Sequence, residues 1–236
     1  LTYGNMTTIT DEVTQSDLAN TYSLTDGLLE TSARRVTQYV YNGDYGSNKV
    51  KFGAYYGGSS KRNMKNLDLA NKRKNAWGTG LIFNHEIDSI QNVTVAAGFT
   101  REISENGNNT SLFRNAYGLG LAYNFVHTTY GVDLERQVTK NQGDKRTKNE
   151  VRAIVRQGLN EDWNVYAMYA YKTDKHSHNT DRTRQFMVGT EYYVFNQGSL
   201  KVKPFLEWQA TRTKYENSTV DRSRDFKTVI GLRAYW

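Results

Sequence analysis

The chain has no cysteine, one proline and no stretch of roughly 18 consecutive apolar residues in its 236 positions. Without cysteine there is no disulfide framework, which suits a chain that crosses an oxidising compartment and a cytosolic one alike. Without a long apolar run, a membrane-spanning helix is excluded. Strands are not, because a transmembrane strand places its apolar residues at every second position, and a polar lumen pulls the mean hydropathy below zero; here it is −0.75. The lone proline, with 19 Gly and 17 Tyr, favours pleated strands joined by short turns. The sequence opens at Leu1 with no initiator Met and no charged-then-apolar leader, as expected of the processed form of an exported chain. Lys and Arg exceed Asp and Glu by 31 − 24 = 7, a balance that fits nucleic acid, an anionic surface or an anionic solute until the charges are placed.

What is present is alternation. In "DFKTVIGLRAYW", residues 225–236, Phe226, Thr228, Ile230, Leu232, Ala234 and Trp236 share one face, and Asp225, Lys227, Val229, Gly231, Arg233 and Tyr235 fall on the other, mostly polar one. The same period-2 pattern recurs in units of ten to fifteen residues from Lys49 onward. Examples are Val50/Phe52/Ala54/Tyr56, Trp77/Thr79/Leu81/Phe83, Tyr117/Leu119/Leu121/Tyr123/Phe125 and Trp163/Val165/Ala167/Tyr169/Tyr171. If residues 1–9 and 33–42 are strands too, the last segment is the twelfth. "ARRVTQYVY" does not itself decide which of its faces is apolar.

Connections alternate in length. Short ones are expected at 43–47, 87–90, 126–127, 160–162 and 196–198, and long polar ones at 11–27, 60–73, 104–111, 140–147, 174–182 and 214–223. Short turns on one rim and long loops on the other mark an outer-membrane barrel. An even strand number with both termini on the short-turn side closes the sheet. Aromatics on the outward face fall in two sets. Phe83, Phe125, Trp163, Tyr192 and Trp236 lie near the short turns, and Trp77, Trp208 and Phe226 near the long loops. Within a strand the sets are roughly six to ten residues apart, on the order of 15–25 Å at a tilt near 40°, the height of a bilayer core. A large soluble β-sandwich also alternates, but needs neither outward apolar residues on every strand nor two aromatic belts. The expected fold is therefore all-β: a transmembrane antiparallel up-and-down β-barrel of 12 strands, in one domain spanning 1–236. It is expected in the bacterial outer membrane with both termini periplasmic, against lipid and lipopolysaccharide, as a monomer or small homo-oligomer.

That orientation turns the charges inward. Basic candidates for the pore lining are Lys49, Lys51, Arg114, Arg152, Arg156, Lys172, Lys201, Lys203, Lys227 and Arg233; acidic ones are Glu102, Asp133, Glu135, Glu150, Glu191, Glu207 and Asp225. So many ions do not sit in a dry core, so the interior is expected to hold water or a tight ion-pair network. Inward glycines such as Gly53, Gly80, Gly98, Gly118, Gly120 and Gly131 are expected to leave it room. The basic excess suggests attraction of anionic solutes; equally, Glu150, Glu191, Glu207 and Asp225 could simply neutralise neighbouring Arg and Lys across strands.

Other motifs carry less. "HSH" at 176–178 reads as a solvated polar loop and not a metal site. The basic run "KRNMKNLDLANKRK" at 61–74 fits lipopolysaccharide phosphates or solutes better than nucleic acid. The glycosylation pattern at Asn109 reads as chance. No strand-borne Ser–His–carboxylate set stands out, so no catalytic residue, metal or cofactor is assigned.

In size, strand count, aromatic strand ends and basic lumen, the chain resembles small bacterial porins with twelve strands, in particular the oligogalacturonate and sialic-acid porin family. The terminal Trp with alternate apolar residues before it resembles the signature read by the barrel-assembly machinery. The resemblance implies a passive channel for small hydrophilic solutes, preferring anions or acidic saccharides along tracks of Lys and Arg; the interspersed acids depart from a purely basic lining. The rival readings are an autotransporter translocator plugged by an N-terminal helix, for which residues 11–30 show little helical periodicity, and a structural or adhesive barrel sealed by ion pairs. An enzyme ranks last.

Overall fold

Alternation of period two becomes strand after strand. The structure, a computed structural model, describes residues 1–20, 27–60, 72–105, 111–197, 200–216 and 222–235. Its strands are β1 (Thr2–Thr7), β2 (Ser32–Tyr45), β3 (Asn48–Gly57), β4 (Lys72–Asp88), β5 (Gln91–Glu105), β6 (Ser111–Phe125), β7 (Thr128–Asn141), β8 (Asp144–Gly158), β9 (Trp163–His176), β10 (Asn179–Tyr192), β11 (Phe195–Gln197), β12 (Leu200–Lys214) and β13 (Arg222–Tyr235). From β1 to β10 each pairs antiparallel with the next, β10 pairs β12, and β12 pairs β13, the up-and-down wall of a β-barrel. The three-residue β11 is a side arm on the start of β12; the other twelve coincide with the twelve expected segments. Among the described residues β13 is laddered to β12 from Arg222 to Tyr235, and no ladder joins it to β1.

The outward face is an apolar band with a large exposed surface. Leu81, Leu119, Leu121, Leu134, Leu206 and Ile230 are all exposed, as hydrocarbon contact requires. On β2 the ambiguity resolves: Val36 is fully buried on the inner face, while Tyr39 and Tyr41 point out. A bulge opposite Asn5 sets this register. Arg35 takes a positive φ of 53° there and donates its N–H to Asn5 Oδ1 at 3.1 Å.

Two expected loops are not loops. Residues 140–147 and 174–182 continue as hairpins, paired to Asn141↔Asp144 and His176↔Asn179. At the first tip Gln142 and Gly143 both have positive φ, 47° and 93°, the mirror-image turn whose twist matches the flanking strands. The hydropathy signal vanished here for a physical reason: beyond the bilayer both faces meet water, so the backbone keeps pairing with no apolar side to mark it. His176 ends β9, and His178 is the second residue of the two-residue tip at 177–178. Residues 61–71, which hold most of the basic run, and Asn109 lie outside the described residues.

The connection between β1 and β2, expected on the rim, folds inward over its described residues, 8–20 and 27–31. It forms a short 3₁₀ turn at Ile9–Val13, and Ile9, Val13, Leu28 and Leu29 are each at most 4 % exposed. The wall accepts this segment because it is glycine where they touch. A Cβ on Gly53 would stand 2.8 Å from Ile9 Cγ1, and one on Gly98 2.8 Å from Val13 Cγ2; one on Gly118 would meet Leu29, and one on Gly120 would overlap the Val13 carbonyl. The inward glycines therefore seat a segment of chain; they do not hold open a bore. Burying four such side chains contributes on the order of 1.5–3 kcal/mol each, enough to bring an otherwise polar segment off the rim. Further along, Leu18 and Ala19 pack on Ile154, Tyr166, Met168, Ala170 and Met187.

Replacing Gly98 and Gly118 together by valine removes the seats of Val13 and Leu29. The strands are expected to stay folded, judged by slow migration of unheated protein on a denaturing gel, while chymotrypsin gains access at Leu28 and Leu29. Unchanged protection in that variant would show that the segment does not depend on the glycine wall.

Candidate functional site

Strand alternation places Asp133 and Glu135 of β7, Glu150, Arg152 and Arg156 of β8, Lys172 of β9, Glu191 of β10 and Lys203 and Glu207 of β12 on the inner face, and register brings them level: Asp133 faces Arg152, Glu135 faces Glu150, and Glu150 faces Lys172. Two clusters result. In the first, the Arg152 guanidinium lies 2.8 Å from Glu135, 3.4 Å from Glu150 and 3.5 Å from Asp133, with all four side chains at most 2 % exposed. Lys172 Nζ approaches Glu150 at 3.8 Å. In the second, Glu191 is ion-paired with Arg156 and with Lys203, the latter at 2.6 Å.

These carboxylates also hold the inward segment by its backbone. Asp133 accepts the N–H groups of Gln15 at 2.8 Å and Ser16 at 2.9 Å, and the Ser16 hydroxyl as well. Glu135 accepts from Leu28 N–H and, at 3.3 Å, from Leu29 N–H. Glu207 accepts Asn20 N–H at 2.7 Å and the Tyr166 hydroxyl at 2.7 Å, while Asn20 Nδ2 donates to Glu191 at 2.6 Å. A segment without strand partners must bond its amides elsewhere, and an ionised acceptor forms roughly twice as strong a bond as a neutral one. At the other end, Gln38 Oε1 accepts Ile9 N–H at 2.7 Å, and Thr10 Oγ1 donates to Glu30 O at 2.6 Å.

Of the other basic candidates, Arg114 pairs with Glu30 at 3.0 Å, and Lys51 with Glu12. Lys49 pairs with Glu86 at 2.7 Å on the short-turn rim, and Lys227 with Asp225 at 3.3 Å, well exposed on β13. Lys201 and Arg233 are exposed; Arg233 lies across from Lys203 of the second cluster. Buried Glu102 accepts the Ser104 hydroxyl at 2.7 Å. Sequence reading missed Arg73, which is 3 % exposed and donates to Gly58 O at 3.0 Å and Arg34 O at 2.8 Å; it seemed part of a basic loop, although β4 already runs through it. It missed Ser16, Asn20, Gln38 and Tyr166 too, since an uncharged polar residue carries no sign of which buried partner it will meet.

The outward aromatics group along the strands. Trp77, Phe99 and Tyr117 form a run with centroids 4.9 and 5.0 Å apart, and Trp208 stacks near Phe226 at 6.1 Å. Phe83, Phe125, Trp163 and Tyr192 are exposed nearer the short turns, with Trp163 Nε1 donating to Thr190 Oγ1 at 2.8 Å. Trp236 lies outside the described residues.

Replacing Arg152 by methionine leaves three buried carboxylates without their shared cation, a loss on the order of 3–5 kcal/mol. The urea midpoint of the refolded protein is expected to fall sharply in Arg152→Met and far less in Lys201→Met; equal midpoints would mean that the cluster is not buried as described.

Comparison with known proteins fits this architecture. No curated protein sequence matches. Outer-membrane-expressed OmpT of Vibrio cholerae superposes with a TM-score of 0.68 at 17 % identity, over 99 % of this chain and 76 % of that one; the trimer form of in-vitro folded OmpT gives 0.61 at 17 %, over 99 % and 76 %. The anion-selective porin from Comamonas acidovorans gives 0.63 at 14 %, over 87 % of this chain and 60 % of that one. The sequence model of the Gram-negative porins matches residues 1–203, and the chain belongs to that family of outer-membrane channel proteins.

Proposed function

We propose a narrow diffusion channel for small hydrophilic solutes that favours anions, with acidic saccharides the solute class to test first. One observation carries the preference: in three inward ion pairs the cation keeps the water, although in Lys51–Glu12 the acid is the more exposed partner. Arg156 and Lys172 are 28 % and 25 % exposed, whereas their partners Glu191 and Glu150 are 0 % and 1 % exposed. Arg114 is likewise more exposed than Glu30, at 28 % against 14 %. Formal charges that nearly cancel thus present a positive surface to a solute, and a low-dielectric wall strengthens the field inside. Residues 8–20 and 27–30 narrow the passage and are held by the acids behind that surface. In this reading the protein is a channel and no enzyme, the long-connection rim faces outward, and the strand ends near Tyr235 face the periplasm. Lipopolysaccharide, the barrel-assembly machinery and like copies of the chain are its partners.

Under a potassium chloride gradient across a planar bilayer, the reversal potential is expected to report a modest anion preference. Exchanging Arg114 and Lys172 for glutamine should move it towards zero; a potential that stays put, or a silent membrane, would remove the basis of the reading. Orientation is separable, because the chain has no cysteine of its own. Ser177→Cys should react with an impermeant maleimide on intact cells and His127→Cys should not. The opposite pattern would invert the assignment.

A further inference from the structure

On the outward face of β10, β12 and β13, register assembles a lattice of cations. Arg182 pairs with Lys214 and Lys214 with Arg222; one step nearer the bilayer, Arg184 pairs with Arg212 and Arg212 with Arg224. All six are exposed. Neighbouring strands are about 4.8 Å apart and alternate residues about 6.6 Å apart, so two rows of three like charges fill a small area. Such pairs directly opposite one another destabilise a sheet. Among the described residues no carboxylate lies within ion-pair distance of any of the six. The acids close by are engaged elsewhere: Glu216 accepts Thr180 N–H at 2.6 Å, Asp181 accepts Glu216 N–H at 3.2 Å, and Asp225, on the opposite face of β13, pairs with Lys227.

The row beneath identifies the surroundings. One further step along each strand stand Phe186, Ala210 and Phe226, also in register, and Trp208 lies against Phe226. Cations one step above an outward aromatic belt sit at headgroup height. Five of the six are arginine, whose planar fork matches phosphate oxygens in pairs. We infer that the outward face of β10, β12 and β13 at the long-connection rim is a binding site for a multiply phosphorylated lipid headgroup, its phosphates spanning the two cationic rows and its acyl chains lying on Phe186, Trp208 and Phe226. A second copy of the chain is disfavoured as the occupant, since the patch would meet its own charge. The placement in an outer leaflet rests on the proposed orientation of that rim; the binding itself does not, nor does it depend on conduction.

The test uses the whole refolded chain in neutral detergent, with fluorescent lipopolysaccharide as the probe and the same lipid treated with phosphatase beside it. The variant Arg184→Ser/Arg212→Ser/Arg224→Ser is expected to bind intact lipopolysaccharide at least tenfold more weakly, and the single central change Arg212→Ser about threefold more weakly. Wild-type protein should prefer the intact to the dephosphorylated lipid by a similar factor. A charge-matched control on β7 and β8, Arg136→Ser/Lys140→Ser/Lys145→Ser, should stay within twofold of wild type. Equal weakening in patch and control variants, unchanged affinity in Arg212→Ser, or indifference to the lipid's phosphates would each overturn the site. Folding is read from unheated gel mobility, and conductance, expected unchanged in the patch variants, separates a failure here from a failure of the channel reading.

Discussion

A peptide group in hydrocarbon has no water to bond, and that constraint governs both layers of this protein. In the wall it is met by continuous antiparallel ladders. In the interior it is met differently. Residues 8–20 and 27–30 lie off the ladders, and several of their N–H groups are taken by carboxylates that project from the wall: Asp133 for Gln15 and Ser16, Glu135 for Leu28 and Leu29, Glu207 for Asn20. Asp133 and Glu135 are held by Arg152, and Glu191, which accepts from Asn20, by Arg156 and Lys203, so the ion pairs are the foundation on which the inward segment rests.

Glycine and charge divide the inner wall between them. On β3 to β6, Gly53, Gly98 and Gly118 let Ile9, Val13 and Leu29 lie against the sheet. On β7 to β12 carboxylates take the N–H groups of the segment, while Leu18 and Ala19 pack on Ile154, Tyr166, Met168, Ala170 and Met187. In the Arg114–Glu30, Arg156–Glu191 and Lys172–Glu150 pairs the cation head is the part nearest to water, which links the packing of the segment to the electrostatics of the passage.

The outer surface follows the same logic of environment. Where lipid is the neighbour, the outward positions are Leu, Val and aromatic; beyond the aromatic row they change within one two-residue step to arginine on three adjacent strands. That switch marks the boundary between hydrocarbon and headgroups more sharply than the aromatics alone.

Much of the wall was legible in the sequence because a strand between lipid and lumen must alternate, and hydropathy records it: Tyr117/Leu119/Leu121 against Gly118/Gly120 reads the same before and after folding. The hairpins at 140–147 and 174–182 were illegible because water on both faces erases the alternation without ending the pairing. Inward Asp133, Glu135, Glu150 and Arg152 could be named as lumen-facing from period two, but not as a single buried cluster, since that requires the register of β7 on β8. The role of the glycines read as space; only the folded chain shows the space filled. What the sequence determined by itself is local and periodic: which residues form strands, and which side of each meets lipid. What the tertiary structure decided is where the irregular segment goes and which charges end up beside one another, because those depend on contacts more than a hundred residues apart, such as Ser16 with Asp133, that no local pattern encodes.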